Sequence, residues 1–304
     1  YLPTGALGML VVLLGSHSLY HWAHPAAAVH DPVLHAKAGY LNLPFWTARA
    51  ALILSLWWVF ARAIVMNSRL QDKDGDVERT HKNKRLSAVF MIVFGLTFTL
   101  ASIDWIMSLE PHWYSTMFPW YMFGGAFLHA LAAIALLCVL LRRRGFFPEL
   151  NEHHLHDLGK YVFGFGVFWA YLWFCQFLLI WYANIPEETA YYILRSSRGW
   201  MAAQALSLLA NFIVPSALLL RSASKKDDRT LIAACLSVCA GRGLDLYVMI
   251  MPSISASARP GWLDLPIFLG LAGVFILIFD RSFASAPVVP EKDPYLVESL
   301  HHHG

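Results

Sequence analysis

The chain has 304 residues, of which 58% are hydrophobic and only 14% are charged, and its formal net charge is +3 at pH 7. About a quarter of the residues of a soluble domain are charged, so this composition excludes an ordinary soluble enzyme. It predicts an all-α integral membrane protein, and the small net charge gives no indication of nucleic-acid binding.

Apolar runs long enough to cross a bilayer predict about eight transmembrane helices, of which the first and the last are short. They cover residues 2–18, 44–67, 86–108, 118–141, 161–183, 200–220, 230–251 and 263–279. Residues 1–283 are expected to form one multi-span domain, and residues 284–304, which contain three prolines, an extended cytoplasmic tail. No signal peptide is expected, and the start at Tyr1 leaves open an incomplete N-terminus.

Basic residues concentrate in three connections, namely residues 67–85, 142–144 and 221–229. The positive-inside rule places these connections, and with them both ends of the chain, in the cytoplasm. The loops formed by residues 20–43, 108–118 and 184–199 are then expected outside. This pattern predicts a multi-pass membrane protein in contact with lipids.

Polar side chains within the apolar runs are the candidates for function, because each charge inside a span costs about 2.5–3.5 kcal/mol on insertion scales. The candidate proton path is Asp104, His129, Arg242 and Asp245. The candidate quinone ligands are Asp104, Gln176, His129 and Arg242. Secondary polar candidates are Asn211, Gln204 and Arg49. No residue is assigned as catalytic and no metal site is predicted.

Structural interpretations of the same residues stay open. Arg242 and Asp245 are three residues apart and can form a structural ion pair, while Gln204 and Asn211 can serve as interhelical hydrogen-bonding groups. Arg49 can extend to the headgroups. Asp104 has no cation one turn away on its own helix, so its partner is expected from another span or from water. The four cysteines lie in apolar segments and are expected to pack rather than to bind metal.

Several segments resemble a known family. They are DWIMSLEPHWYSTMFPWYMFGGAF at 104–127, FWAYLWFCQFLLIWYANIPEET at 168–189, GRGLDLYVMIMP at 241–252, YHWAHP at 20–25 and KDPYLVESL at 292–300. The chain is similar to the ActF-type membrane subunits of alternative complex III, also called quinone-binding subunit 2. These belong to the NrfD and polysulfide-reductase membrane-anchor superfamily. Members usually have about ten spans, so two N-terminal spans are expected to be missing here.

The resemblance implies a subunit of a respiratory quinol:electron-acceptor (cytochrome c) oxidoreductase. Its cofactor would be menaquinone or ubiquinone, with haem and iron–sulfur centres only in partner subunits. The implied partners are a paralogous NrfD-like membrane subunit, an iron–sulfur subunit, c-type cytochrome subunits and a terminal oxidase. Two alternatives stay open: a purely structural anchoring and assembly subunit of the same complex, and a secondary transporter.

Overall fold

The structure, a computed structural model, describes residues 2–24, 27–197, 199–255, 258, 261–262 and 264–301. It is 81% helical and, over the described residues, contains no strand. Within this part of the chain, seven helices are long and apolar enough to cross a membrane. The chain is therefore that of a multi-pass, all-α membrane protein, and the predicted fold class is confirmed.

The α-helices of the described residues are numbered here in chain order. They are α1 (Leu2–Leu14), α2 (Ser16–Leu19), α3 (Ala27–His30), α4 (Pro32–Lys37), α5 (Leu43–Asp74), α6 (Glu78–Trp105), α7 (Phe118–Arg143), α8 (Glu152–Ala183), α9 (Pro186–Ser196), α10 (Trp200–Leu208), α11 (Val214–Leu219), α12 (Ser222–Lys226), α13 (Asp228–Ile250), α14 (Asp264–Phe283) and α15 (Leu296–Leu300). A π-helical segment, Leu209–Ile213, joins α10 to α11. Short 3-10 segments are formed by His21–Ala23, Met107–Leu109 and Met251–Ser253.

The first predicted span is shorter than expected. Helix α1 has 13 residues and ends just before Gly15, whereas a crossing needs about 20. Glycine is a poor helix former, and the chain after it continues as short helices. The other seven predicted spans each contain a helix of sufficient length.

The charged connection at residues 67–85 is mostly helical rather than a loop. Helices α5 and α6 continue past their apolar parts and meet at a tight turn, where Gly75 has a left-handed conformation (φ 70°). Polar pairs join the two extensions: Asn67 donates to Asn83 at 2.9 Å and Gln71 to Thr80 at 2.6 Å. Helix-favouring Lys, Arg and Glu allow helices to continue beyond the apolar run, so hydropathy alone underestimates their length.

The described chain divides into two compact units. Unit 1 comprises Tyr1–His112 and Arg259–Leu296, and unit 2 comprises Trp113–Ala258 and Val297–Gly304. The predicted single membrane domain with a separate tail stays a prediction, since clusters of contacts do not by themselves define folding domains.

Unit 1 is built around the antiparallel hairpin of α5 and α6, and α1 packs against α5 and α14. Aromatic side chains fill the hairpin: Trp57 donates its indole N–H to Thr97 at 2.9 Å, and its ring lies against Phe94 and Phe98. The span of α14 has no buried residue within this chain. Its apolar surface is thus available to acyl chains or to another protein.

The tail is ordered against the polar end of this hairpin. The ammonium of Lys292 donates a hydrogen bond to the carbonyl oxygen of Lys73 at 2.7 Å. The ammonium of Lys84 donates a hydrogen bond to the hydroxyl of Tyr295 at 2.6 Å. The end of the predicted extended tail forms the short helix α15 instead. In the turn that leads into α15, the carboxylate of Asp293 accepts the N–H of Tyr295 at 2.9 Å.

Unit 2 is a four-membered bundle. Helix α7 packs against α8 and α13. Helices α10 and α11 act as one interrupted span and pack against α13. Helix α11 also contacts α8. Helix α13 is the most enclosed of the candidate spans, with 44% of its apolar window buried. A polar side chain on its inner face therefore meets protein rather than lipid.

Candidate functional site

Helix α13 carries a buried ion pair. Arg242 and Asp245 lie one turn apart, with Nη1 of the arginine 2.5 Å from Oδ2 of the aspartate. The hydroxyl of Tyr121, on α7, donates to the other carboxylate oxygen. All three side chains are buried, so this carboxylate is held by one cation and one phenol in a site of low dielectric.

The guanidinium fits because α7 has glycine opposite it. A Cβ atom on Gly125 would lie 2.4 Å from Nη1 of Arg242. Beside it, Nη2 lies 3.8 Å from the sulfur of Met122. The small residues that the sequence shows at 124–126 therefore let α13 bring a full charge against the backbone of α7.

A small cavity of about 20 Å³ lies against Asp245. Its wall also includes Tyr121, Gln176, Tyr192 and Arg195. A cavity needs at least about 10–15 Å³ on this scale to hold one water molecule, so this one is water-sized. Ligand pockets for drug-sized molecules measure about 300–1,000 Å³.

One wall of this cavity presents an unsatisfied oxygen. Oε1 of Gln176 is buried and, among the described residues, has no hydrogen-bond partner. Burial raises the pKa of the neighbouring Tyr192 far above its usual range, and a hydrogen bond with Gln176 offsets part of that rise. The phenol therefore stays protonated, and the cavity is lined by a neutral hydroxyl, an acceptor oxygen and a carboxylate.

Helix α9 folds back to close the cavity. Arg195 donates to the carbonyl oxygens of Val248 at 3.2 Å and Met249 at 2.7 Å, and its guanidinium lies 3.4 Å from the ring centre of Tyr191. The carbonyl of Arg195 accepts from Gln204 at 2.8 Å. Gln204 thus joins α9 to α10, which agrees with its interpretation as an interhelical hydrogen-bonding group.

Asn211 lies in the π-helical segment. Pro215 has no N–H to donate to the carbonyl of Asn211, and a π-helical turn is one way for a helix to accommodate such a break. The side-chain amide of Asn211 donates to the carbonyl of Ser207 at 3.0 Å, within the same span. The hydrogen bond that joins this segment to α13 is made instead by Ser237 on α13. Its hydroxyl donates to the carbonyl oxygen of Ala210 at 2.8 Å.

In unit 1, Asp104 is paired with an arginine from the neighbouring span. Arg49 on α5 makes two contacts with this carboxylate: Nε to Oδ2 at 2.6 Å and Nη2 to Oδ1 at 3.1 Å. The sequence predicted a partner from another span or from water, and Arg49 is that partner. Its guanidinium is held by the carboxylate, although the sequence also allowed it to extend to headgroups.

Aromatic rings enclose this pair. The guanidinium carbon of Arg49 lies 3.9 Å from the ring centre of Tyr40 and 4.3 Å from that of Phe45. Burial and then a hydrogen bond to Asp104 raise the pKa of Tyr40 to about 12. The backbone carbonyl of Asp104 accepts from Trp46 at 2.8 Å. The side chain of Asp104 is 1% exposed, which leaves its carboxylate enclosed and fully paired.

The predicted candidates therefore fall into two clusters. Gln176, Gln204, Arg242 and Asp245 come together in unit 2, whereas Asp104 and Arg49 pair in unit 1. His129, on α7, is half-buried, and its Nδ1 has no hydrogen-bond partner among the described residues. The roles of these residues in proton transfer or quinone binding stay predictions.

Three site residues escaped the sequence analysis. Tyr121 lies in the predicted span at residues 118–141, and Tyr192 and Arg195 lie in the connection at residues 184–199 that is expected outside. For Arg195 the sequence does contain a signal, since Tyr191 and Arg195 are four residues apart and share one helix face.

No family model matches the chain. No curated protein matches it either. The resemblance of residues 104–127 and 168–189 to a respiratory membrane subunit is thus an expectation from the sequence.

Proposed function

We propose that this chain is an integral membrane subunit of a respiratory quinol:electron-acceptor oxidoreductase, and that unit 2 contributes a proton-relay group centred on Asp245. Two lines of reasoning support this proposal. The family resemblance points to the complex, and the enclosed carboxylate at the wall of a water-sized cavity points to the relay. The second observation is the one on which the proposal rests.

The chemistry follows from the partners of Asp245. Its carboxylate accepts a proton from a hydronium ion that reaches the cavity, so the carboxylate becomes a neutral acid and the hydronium ion becomes water. Arg242 stabilises the ionised form, so the proton is released again rather than trapped. The phenol of Tyr121 gives the carboxylate a second hydrogen-bond partner. Gln176, with a free acceptor oxygen, orients the water.

The same cavity does not favour a quinone head group. A ring with two carbonyl oxygens needs far more room than about 20 Å³. Gln176 and Arg242 were predicted as quinone ligands. We therefore assign Gln176 as a hydrogen-bond partner of a water molecule and Arg242 as the ion-pair partner of Asp245. Quinol oxidation itself is placed in the paralogous membrane subunit that the resemblance implies.

We further propose that the membrane is the bacterial inner membrane, as the resemblance to a respiratory subunit implies, and that the basic connections lie in the cytoplasm. The support is the concentration of Lys and Arg in residues 67–85, 142–144 and 221–229. On this orientation the cavity beside Asp245 lies nearer the outer side, because α9, which forms part of its wall, belongs to the outer connection at residues 184–199. A proton path from this cavity opens outward.

Replacing Asp245 with Asn tests the relay. Asn preserves shape but cannot carry a proton, so we expect an assembled complex whose quinol turnover and proton release both fall at least about tenfold. Asp245→Glu is expected to recover part of the rate. Turnover and proton release are measured in proteoliposomes after assembly is verified by gel filtration.

The control is Asp280→Asn, which neutralises an exposed carboxylate on α14 and is expected to leave both rates unchanged. Tyr121→Phe is compared with Tyr182→Phe in the same way, since Tyr182 is exposed. Wild-type rates in an assembled Asp245→Asn complex would exclude the relay.

A second candidate function is a purely structural anchoring subunit. The observation that favours it is the Arg49–Asp104 pair, in which every charged group has its partner within the protein. This function predicts that neutralising Asp245 lowers stability only, and that the properly folded fraction keeps its full turnover.

A further inference from the structure

A second concave surface of unit 2 shares no lining residue with the cavity beside Asp245. A groove of about 500 Å³ runs between α7 and α8 and is open on one side. It is lined by Phe123, Lys160, Tyr161, Gly164, Phe165 and Phe168, and is called here the α7–α8 groove. Apart from Lys160 and the hydroxyl of Tyr161, its lining side chains are apolar.

The floor of the α7–α8 groove exists because one residue has no side chain. Gly164 is exposed, and a Cβ atom built on it would have no atom within 4 Å. On either side the rings of Phe165 and Phe168 meet edge to face, with centres 5.9 Å apart. The result is an aromatic channel with open space at its base.

The position of the groove along α8 places it at the membrane boundary. Helix α8 has 32 residues, about 48 Å at 1.5 Å per residue, whereas the hydrocarbon layer needs only about 20 residues. Its first part, Glu152–Lys160, is polar, and the apolar part begins at Tyr161. Lys160 therefore lies at headgroup depth.

From Lys160 the groove extends toward the interior of the membrane. Phe168 is eight residues further along α8, which corresponds to about 12 Å. A molecule that fills the groove thus has a polar end beside an ammonium group and an apolar chain along aromatic rings. This is the shape of a membrane lipid.

The charge at the polar end selects among lipids. The ammonium of Lys160 lies 2.5 Å from Asp157, and the side chain is 55% exposed. An ammonium has three N–H donors, so it can bind a phosphate oxygen while it keeps its contact with Asp157. The same end of the unit carries Arg142, Arg143 and Arg144 at the end of α7. Asp228 pairs with the first two, and Arg144 adds positive charge beyond that pair.

We propose that the α7–α8 groove binds one anionic phospholipid, with the phosphate at Lys160 and an acyl chain along Phe165 and Phe168. A zwitterionic lipid fits the same channel but has no net charge to meet the basic end. The proposal does not depend on the relay at Asp245, since it uses another surface and other residues.

The experiment counts lipids bound to the purified protein by native mass spectrometry. The protein is delipidated in detergent and titrated with phosphatidylglycerol or phosphatidylcholine. Gly164→Leu places a side chain in the channel, and Gly95→Leu is its matched control, because Gly95 is also an exposed helical glycine with open space around it. Lys160→Ala removes the ammonium, with Arg229→Ala as a control at the same end.

The wild-type protein is expected to retain one phosphatidylglycerol more tightly than phosphatidylcholine. Gly164→Leu should lose that lipid while Gly95→Leu keeps it. Lys160→Ala should weaken phosphatidylglycerol binding about fivefold, the effect of one cation near the surface, and leave phosphatidylcholine unchanged.

Three results would overturn the proposal. The first is a Gly164→Leu protein that keeps the same lipid count as the wild type. The second is equal binding of the two lipids by the wild-type protein. The third is a co-purified quinone that Gly164→Leu displaces while the phospholipid count stays constant.

Discussion

At the scale of single residues, two carboxylates in apolar spans are stabilised in different ways. Asp104 receives both of its contacts from one guanidinium and is enclosed by aromatic rings. Asp245 shares its oxygens between Arg242 and Tyr121 and forms part of a cavity wall. The first arrangement favours a permanent ion pair, and the second leaves a path for a proton.

Removing the charge of Asp104 should destabilise unit 1. Asp104→Asn leaves the guanidinium of Arg49 without its carboxylate in an enclosed site, and breaking a buried pair in this way costs about 3–5 kcal/mol. We expect a lower unfolding temperature in detergent, measured by the change in intrinsic Trp fluorescence on heating.

The double variant Arg49→Gln/Asp104→Asn is the control for that result. It removes both charges together and should be more stable than Asp104→Asn alone, because no uncompensated charge remains. A single variant as stable as the wild type would contradict the structural role of the pair.

At the scale of helices, close packing depends on glycine where α13 meets the interrupted span of α10 and α11. A Cβ atom on Gly241 would lie 2.8 Å from the side-chain nitrogen of Asn211 and 2.9 Å from Cβ of Ala210. The side chain of Asn211 in the π-helical segment thus packs against the backbone of α13 at Gly241, where α13 has no side chain. This approach allows the hydrogen bond from Ser237 to Ala210.

Gly241→Ala should therefore separate these helices. Overpacking of a well-packed contact costs about 1–3 kcal/mol, and part of this comes from displacing Asn211. The matched control is Gly164→Ala, at an exposed helical glycine with open space, where alanine is expected to stabilise the helix by about 0.5–1 kcal/mol. Thermal unfolding of both variants in the same detergent gives the comparison, and equal stabilities would contradict the role of this contact.

At the scale of the whole molecule, the order of spans and connections decides which loops share a side of the membrane. In the described part of the chain, seven helices can cross, so the connections after successive helices alternate between the two sides. The polar ends of α5 and α6, which bind the tail, carry the basic residues of the connection at 67–85, so the proposed orientation puts them in the cytoplasm.

Labelling of introduced cysteines tests this orientation. Glu187 on α9 and Lys82 on α6 are both exposed. In intact cells whose outer membrane is permeabilised, a membrane-impermeant thiol reagent should modify Glu187→Cys but not Lys82→Cys, and Lys82→Cys should react only after the inner membrane is opened. Labelling of the parent protein gives the background from its four native cysteines, and the reverse pattern would show that the basic connections lie outside.

The sequence by itself determined the class of the protein and most of its spans. Long apolar runs have to be helical in a bilayer, because every backbone N–H and C=O must be satisfied within the segment, and seven of the eight predicted runs became such helices. It also identified the buried polar groups, because Asp104, Gln176, Arg242 and Asp245 interrupt apolar runs.

Only the tertiary structure decided how those groups are paired. Nothing in the sequence connects Asp104 to Arg49, 55 positions earlier, or Tyr121 to Asp245, 124 positions later. Such contacts depend on which helix faces turn toward each other and on glycines such as Gly125 that leave room for a charge. Hydropathy records the depth of a residue in the membrane, but the partner of a side chain is set by packing between distant helices.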